Sequence, residues 1–165
     1  MVARDDGPLE ARPPRLADLV ALCRRLNESG ARYIVIGGMA IIQAGFVRAT
    51  EDIDLLVDTS PANISRVREA LRSLPDQAIN DMADTDLDQY VVVRVADEIV
   101  VDLMKAACGI DYEEARALAA PVLIDGVSIP FATPRLLWRT KQTLRDKDRQ
   151  DLAFLASLLP PTERG

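Results

Sequence analysis

A pair of aspartates at alternate positions, at the start of an apolar segment, is the strongest constraint on the fold: Asp52-Ile53-Asp54-Leu55-Leu56-Val57. A short run of Ile, Leu and Val predicts a buried β-strand. The two-residue period of a strand puts Asp52 and Asp54 on the same face, with their carboxylates side by side. Burying two such carboxylates without a partner raises a pKa or costs several kcal/mol. The strand must therefore begin either at a solvated entrance or at a divalent cation such as Mg²⁺, which carboxylate oxygens hold.

Further strands are predicted from apolar runs and turn signals along the chain. An all-apolar run indicates a strand buried on both faces, and two strands around Asp125-Gly126 carry a strong short-range hairpin signal. A second hairpin is predicted with Ala96-Asp97-Glu98 as its turn, and a short strand within the polar loop 75–89. The predicted strands are Tyr33 to Ile36, Ile53 to Val57, one near Ala78-Ile79, Tyr90 to Val95, Ile99 to Met104, Val122 to Ile124 and Val127 to Ile129.

Helices are predicted between these strands from helical spacing and capping residues. They begin near Arg15 (ending at Gly30), Met39, Ser60-Pro61, Asp111 and Thr133-Pro134 (through Leu144), and a last one follows Arg145 to Asp148 with Leu152, Leu155 and Leu159 inward. Residues 1–14 are polar and Pro-rich, and we expect a loose arm there. The pattern predicts one α/β (α+β) domain over residues 15–160, with a mixed central sheet flanked by helices and a helical C-terminal flank.

Composition excludes several classes of chemistry and location. The chain of 165 residues has no histidine, which rules out His-centred triads and His-ligated zinc. Its net charge of −6 does not favour nucleic acid as a partner. No apolar run is long enough to span a bilayer, and the first residues lack the apolar core of a signal peptide, so we expect a cytoplasmic protein without membrane contact. Cys23 and Cys108 are expected to be reduced, buried thiols.

A third acidic residue lies in a later apolar segment, Ile99-Val100-Val101-Asp102-Leu103-Met104. An isolated charge in a buried strand is costly, so Asp102 needs a partner. One interpretation is a salt bridge to an arginine such as Arg48 or Arg94. The other is a third carboxylate of a metal site beside Asp52 and Asp54, where a raised proton affinity would suit a general base.

Residues with a candidate phosphate-binding role are Gly37, Gly38, Arg48, Thr50 and Lys141. Gly37-Gly38 lies between a strand and a helix, where free backbone N–H groups can approach a phosphate, although a tight turn is the more frequent reason for such a pair. Arg48 and Thr50 either contact phosphate or brace the loop. By itself Lys141 is expected to be exposed. We expect Asp148 and Asp151 to cap and pair locally.

Taken together, these motifs resemble the DNA polymerase β-type nucleotidyltransferase superfamily. More narrowly, the chain is similar to minimal bacterial members, including abortive-infection toxin and resistance-enzyme relatives. The resemblance covers residues 33–155. It is carried by Ile36-Gly37-Gly38-Met39-Ala40, Gly45, Arg48, Thr50, Asp52-Ile53-Asp54-Leu55-Leu56-Val57, Asp102, Ile124-Asp125-Gly126-Val127-Ser128-Ile129-Pro130, Thr133-Pro134, Leu136-Leu137, Lys141, Arg145-Asp146-Lys147-Asp148 and Asp151-Leu152. One departure is Gly38, where many relatives have a serine whose hydroxyl contacts phosphate.

The resemblance implies a nucleotidyltransferase fold and transfer of a nucleoside monophosphate from an NTP to an acceptor hydroxyl, with release of pyrophosphate. By carry-over, Asp52 and Asp54 coordinate two Mg²⁺ ions, Asp102 serves as metal ligand and base, Gly37 and Gly38 line the triphosphate, and Lys141 contacts phosphate. The acceptor is open between protein, RNA and small molecule, with RNA disfavoured by charge. The resemblance also suggests one half of a toxin–antitoxin-like pair with a partner protein. The chain is expected to be a monomer or a homodimer. The alternative is a non-catalytic binding module that retains the fold.

Overall fold

Eight strands form within residues 10–164, the part of the chain that the structure, a computed structural model, describes. Six of the strands make one sheet and the two shortest pair with each other. The strands are β1 (Tyr33–Ile36), β2 (Asp52–Val57), β3 (Val92–Ala96), β4 (Val100–Met104), β5 (Ala106–Ala107), β6 (Ile110–Asp111), β7 (Ala119–Ile124) and β8 (Val127–Ala132).

The order of the large sheet is β3-β4-β2-β1-β8-β7. It is mixed, because β2 runs antiparallel to β1 and parallel to β4, while β1 and β8 are also parallel. All four residues of the central strand β1 are buried, as its wholly apolar sequence predicts. The two predicted hairpins are confirmed, one between β3 and β4 and one between β7 and β8. The second turns at Asp125 and Gly126, whose φ values of 49° and 79° are those of a type I′ turn.

Seven α-helices accompany these strands in the same described range. They are α1 (Leu16–Glu28), α2 (Gly37–Gln43), α3 (Pro61–Leu71), α4 (Asp86–Gln89), α5 (Tyr112–Ala115), α6 (Pro134–Thr140) and α7 (Asp146–Leu158). The predicted caps are confirmed, since the Ser60 side chain accepts a hydrogen bond from the Asn63 backbone and Gly30 is left-handed. Helix α1 packs against α3 and β8, and α2 packs against β2. None of the described helices is long and apolar enough to cross a membrane.

The segment 75–89 differs from the predicted loop with a short strand. Ala78–Asp81 is a 3₁₀ helix, and α4 follows it. The Asp97 carboxylate, in the turn between β3 and β4, accepts hydrogen bonds from the backbone N–H groups of Asp76 and Ala78 at 2.9 and 3.0 Å. Because these two N–H groups donate to a side chain, they cannot donate to the backbone of a neighbouring strand. The prediction of a strand near Ala78-Ile79 was therefore wrong.

The C-terminal helices also differ from their predicted extents. Helix α6 ends at Thr140, before the predicted end at Leu144, which is 84% exposed. Five residues between α6 and α7 are not helical, and the first of them, Lys141, turns inward to Asp151, a contact described below. At the other end, the predicted helix from Asp111 to Ala119 is shorter. Helix α5 stops after four residues, a 3₁₀ turn follows, and Ala119 already belongs to β7.

Two further expectations concern the N-terminal arm and the cysteines. Residues 1–9 of the predicted arm lie outside the described residues. Arg12 contacts the domain, with its backbone N–H donating to the Glu98 carbonyl at 3.0 Å and its guanidinium pairing with Asp18. Cys23 is buried as predicted, but Cys108 is exposed, because it lies at a left-handed turn between two-residue strands rather than in the core.

Candidate active site

Three carboxylates meet where β2 and β4 run side by side. Asp52 and Asp54 share one face of β2, and the parallel register places Asp54 opposite Asp102 of β4. One carboxylate oxygen from each of the three residues lies within 4.8 Å of the others. The strand period explains the first pair, and the register of two strands nearly 50 residues apart brings in the third. The result is an acidic cluster of Asp52, Asp54 and Asp102.

Electrostatic repulsion and burial perturb this acidic cluster. Burial, together with the negative charges of Asp52 and Asp102, raises the pKa of Asp54 to about 7. The pKa of Asp52 is also raised, first by burial and then by Asp102. Both shifts disfavour the ionised carboxylates in the absence of a cation. A bound positive charge would therefore stabilise the cluster.

Arg94 supplies one such charge. Its Nε and Nη2 atoms donate to the two oxygens of Asp102 at 2.9 Å each, and Nη2 also reaches Asp52 at 3.4 Å. Arg94 lies directly opposite Asp102 in the β3–β4 hairpin. The two interpretations of Asp102 are thus compatible in this structure: Asp102 has a salt bridge to an arginine and is also part of the acidic cluster. Of the two arginines considered from sequence, the partner is Arg94.

Close approach of the β2 region explains why Gly37 and Gly38 are glycines. Gly37 has a φ of +68°, and a Cβ there would lie 1.9 Å from Asp54 Oδ2. A Cβ on Gly38 would lie 2.4 Å from the hydroxyl oxygen of Thr50. Both glycines begin α2 and line the cavity in front of the acidic cluster. The Gly-Gly pair and the Asp-x-Asp pair are therefore parts of one packing arrangement.

Arg48 and Thr50 do not line that cavity. The Arg48 guanidinium donates to both carboxylate oxygens of Asp151 at 2.8 Å, from Nε and Nη2. The Thr50 hydroxyl donates to the backbone carbonyl of Asp52 at 3.1 Å. The sequence left two roles open for Arg48 and Thr50, phosphate contact and bracing of the loop. Their contacts in the structure are those of residues that brace the loop leading into β2.

Lys141 is buried, against the expectation of an exposed side chain. It is 5% exposed, and its Nζ lies 2.8 Å from Asp151 and 3.6 Å from Asp148. The expectation of purely local pairing was wrong for Asp151, which joins Arg48 and Lys141 from distant parts of the chain. Asp148 does pair locally, with Thr143 and Arg145. Lys141 still borders the cavity, so a buried ion-pair network supports its floor.

A cavity of about 450 Å³ opens in front of the acidic cluster. Four basic side chains line it: Arg94, Lys141, Arg145 and Lys147. Lys147 is exposed and, within residues 10–164, has no ion-pair partner, while Arg145 pairs with Asp148 at the rim. Sequence reasoning missed Arg145 and Lys147 as site residues. The available signal was the charged segment Arg145 to Asp148 at the start of the last helix.

Part of the cavity lining is apolar. It comes from the start of β3 with the residue before it, the end of β4, and β5. The apolar lining residues of this part are Val91, Val92, Met104, Ala106 and Ala107. The cavity therefore combines an anionic centre, a basic rim and an apolar wall. These are the surfaces that a metal, phosphates and a nucleobase would need.

The acidic cluster has the donor set that a hard divalent cation requires. Three carboxylates converge from two adjacent strands, and Asp52 and Asp54 have a raised pKa because of burial and, after it, the charge of the neighbouring carboxylates. Oxygen-only ligands next to a cavity with basic side chains fit Mg²⁺, which binds through a few carboxylates and keeps other positions for water or phosphate. Asp52, Asp54 and Asp102 are the residues that could hold it.

The fold was compared with known proteins. No curated protein sequence matches the chain significantly. Among solved structures, the chain is similar to an antigenic nucleotidyltransferase-like protein from Paracoccidioides brasiliensis, with 17% sequence identity, a TM-score of 0.52 and coverage of 87% of this chain and 76% of the other. This likeness concerns the fold, a nucleotidyltransferase-like arrangement in one domain.

A family model matches nearly the whole chain. The family is described as "Nucleotidyl transferase of unknown function (DUF2204)", and the match spans residues 15–158. Family and fold together support a general role in nucleotidyl transfer. The chain therefore belongs to the nucleotidyl transferase family DUF2204 and is a minimal member of the nucleotidyltransferase superfamily.

Proposed function

We propose that this protein is a Mg²⁺-dependent nucleotidyltransferase that transfers a nucleoside monophosphate from an NTP to an acceptor hydroxyl and releases pyrophosphate. The observation that carries the proposal is the convergence of Asp52, Asp54 and Asp102 within 4.8 Å at the edge of a cavity of about 450 Å³. Ionising three carboxylates this close together costs free energy unless a bound cation neutralises their charge.

The acidic cluster would hold the metal, with Asp52 and Asp54 as ligands and Asp102 as a third ligand. When bound there, Mg²⁺ ions, two by the family resemblance, would supply charge neutralisation at the attacking and leaving oxygens of an in-line phosphoryl transfer. Asp102 would also accept the proton of the acceptor hydroxyl. Its position on β4, across from Asp54, supports this assignment.

The NTP would lie in the cavity with its phosphates toward the basic rim. Gly37 and Gly38 line the cavity at the start of α2, where backbone N–H groups can approach phosphate oxygens. Lys147 is an exposed cation with no ion-pair partner in the described part of the chain, so it is the best-placed side chain for a phosphate. Lys141 would act by positioning, because its ammonium is engaged by Asp151 at 2.8 Å.

Thermal unfolding tests the proposed site. Each of the four NTPs is added with and without Mg²⁺ to wild type, Asp52→Ala and the control Asp88→Asn, which changes an exposed acid outside the cavity. A ligand at about 100 times its dissociation constant stabilises by about 2.7 kcal/mol, which moves the midpoint of a domain this size by roughly 5–10 °C. We expect a Mg²⁺-dependent shift in wild type and Asp88→Asn that Asp52→Ala lacks.

Catalysis is tested separately, by transfer of label from an α-³²P-labelled NTP to the protein itself, to RNA and to protein mixtures. Asp54→Asn should abolish transfer while its far-UV circular dichroism matches wild type. Equal transfer by Asp54→Asn would refute the catalytic assignment. A Mg²⁺-dependent thermal shift without transfer to any acceptor would support a binding module that retains the fold.

A further inference from the structure

Arg94 occupies the position where the proposed function needs a divalent cation. Two of its nitrogens lie 2.9 Å from the two oxygens of Asp102, and one also lies 3.4 Å from Asp52. A guanidinium that engages both oxygens of a carboxylate forms the strongest geometry of such a pair. Arg94 is thus the present counter-ion of the acidic cluster.

A divalent cation and this guanidinium would compete for the same oxygens. A cation bound to Asp102 and Asp52 would lie one ligand distance from atoms that Arg94 now contacts at 2.9 and 3.4 Å. Two positive charges that close, in a partly buried site, repel each other strongly. Binding of the cation therefore requires Arg94 to withdraw.

Arg94 is free to withdraw into the cavity. Its side chain is 60% exposed, and within residues 10–164 its guanidinium has no hydrogen-bond partner other than Asp102 and Asp52. It belongs to β3, one of the two edge strands of the sheet. It also lines the cavity together with Arg145 and Lys147. Withdrawal would bring a planar, permanently charged donor beside the basic rim, and such a donor suits phosphate.

We propose that Arg94 switches between two anionic partners: it pairs with Asp102 in the metal-free protein, and with the phosphates of the NTP once a divalent cation holds the acidic cluster. This inference rests on the proposed function, since it assumes a cation at Asp52, Asp54 and Asp102. It makes Arg94 a substrate-binding residue that also sets the affinity for the metal. The two effects have opposite signs.

Mn²⁺ titration tests the first effect, with free Mn²⁺ measured by electron paramagnetic resonance. We compare wild type, Arg94→Met and Lys147→Met at one pH and ionic strength. Lys147→Met is the matched control, because Lys147 lowers the pKa values of Asp52 and Asp54 through space without a hydrogen bond to either. Arg94→Met should bind Mn²⁺ about tenfold more tightly than wild type, and clearly more tightly than Lys147→Met.

Nucleotide binding tests the second effect. With Mn²⁺ at saturation, the affinity for a non-hydrolysable α,β-methylene NTP is measured by calorimetry. Arg94→Met should bind the analogue about tenfold more weakly than wild type, although it binds the metal more tightly. Arg94→Lys keeps the charge but loses the two-pronged contact, so it should lie between the two proteins in both measurements. A role in folding alone would not move the two affinities in opposite directions.

The outcomes separate this inference from the proposed function. If wild type binds Mn²⁺ and Arg94→Met binds it equally, or no better than Lys147→Met does, the competition is refuted and the metal site stands. An unchanged affinity for the analogue in Arg94→Met would refute the phosphate contact. If neither wild type nor any variant binds Mn²⁺, the metal site of the proposed function fails and the role of Arg94 fails with it.

Discussion

Gly37 and Asp54 approach each other so closely that no side chain fits between them. A Cβ on Gly37 would lie 1.9 Å from Asp54 Oδ2 and 2.9 Å from Asp54 Cβ. Rotation of the Asp54 side chain moves its oxygen but not its Cβ, which the strand holds in place. The first residue of α2 thus packs against the second aspartate of the acidic cluster, and the position of Asp54 depends on a glycine that precedes it by 17 residues.

Gly37→Ala should destabilise the protein by about 2 to 4 kcal/mol, because the added methyl group overlaps Asp54 and the backbone is left-handed at +68°. Gly109→Ala is the matched control, since Gly109 is also left-handed, at +79°, but has no atom within 4 Å of the added Cβ. Its cost should be about 1 kcal/mol. Urea unfolding at pH 7 measures both. Equal losses would show that backbone conformation alone, and not contact with Asp54, explains the cost.

The stability of the metal-free protein should fall as the pH rises toward neutrality, because of Asp54. Its pKa is about 7 in the folded protein, against about 4 for an unfolded aspartate. Between these values the native carboxyl keeps its proton and the unfolded one has lost it, so the native state binds more protons and the free energy of unfolding decreases with pH. Asp54→Asn should be more stable than wild type by about 1 to 3 kcal/mol at pH 8, and by much less at pH 4.

Urea unfolding at pH 4, 6 and 8 in the presence of EDTA gives this difference directly. Asp88→Asn serves as the control, because Asp88 is exposed and lies outside the cavity, and its difference from wild type should be small at all three values. An Asp54→Asn difference that is constant from pH 4 to 8 would contradict the raised pKa of Asp54.

Mg²⁺ affinity should depend on the same proton. A metal ligand must be deprotonated, so binding below pH 7 has to remove the proton from Asp54. We expect the affinity to fall by up to about tenfold per pH unit below 7 and to level off above about pH 8. Calorimetry in two buffers of different ionisation enthalpy should show about one proton released per metal site at pH 6 and close to none at pH 8.5. Affinity that is flat from pH 5.5 to 8 would exclude Asp54 as a ligand with this pKa.

Asp151→Asn should cost about 3 kcal/mol of stability, because it leaves the buried Lys141 and the partly buried Arg48 without their shared carboxylate. Asp151 is fully buried, and both Arg48 and Lys141 contact it at 2.8 Å. Glu113→Gln is the control, since Glu113 forms only exposed pairs with Arg116 and Arg32, and its loss should be below about 0.5 kcal/mol. Urea unfolding of the two variants measures the contrast. A cost for Asp151→Asn as small as that of Glu113→Gln would mean that the network under the cavity contributes little.

Local sequence predicted the elements whose signals lie within a few residues. The all-apolar run from Tyr33 to Ile36, the cap at Ser60 and the turn at Asp125-Gly126 each carry their own physical cause, and the structure has all three. The prediction failed where a distant group took over. The Asp97 carboxylate accepts hydrogen bonds from the backbone N–H groups of Asp76 and Ala78, and a 3₁₀ helix forms there instead of the expected strand. Lys141 turns inward to Asp151 and ends α6 early.

The amino-acid sequence by itself determined that Asp52 and Asp54 face the same way, because a strand has a period of two residues. It also determined that Asp102 needs a partner, since a charge in an apolar strand is costly to bury. Only the tertiary structure decided which partners it has. The parallel register of β2 with β4 brings Asp102 to Asp54, and the hairpin register places Arg94 opposite Asp102. The parallel register depends on how the whole sheet packs, and the hairpin register depends on which residues form the turn, so neither follows from the strand pattern alone.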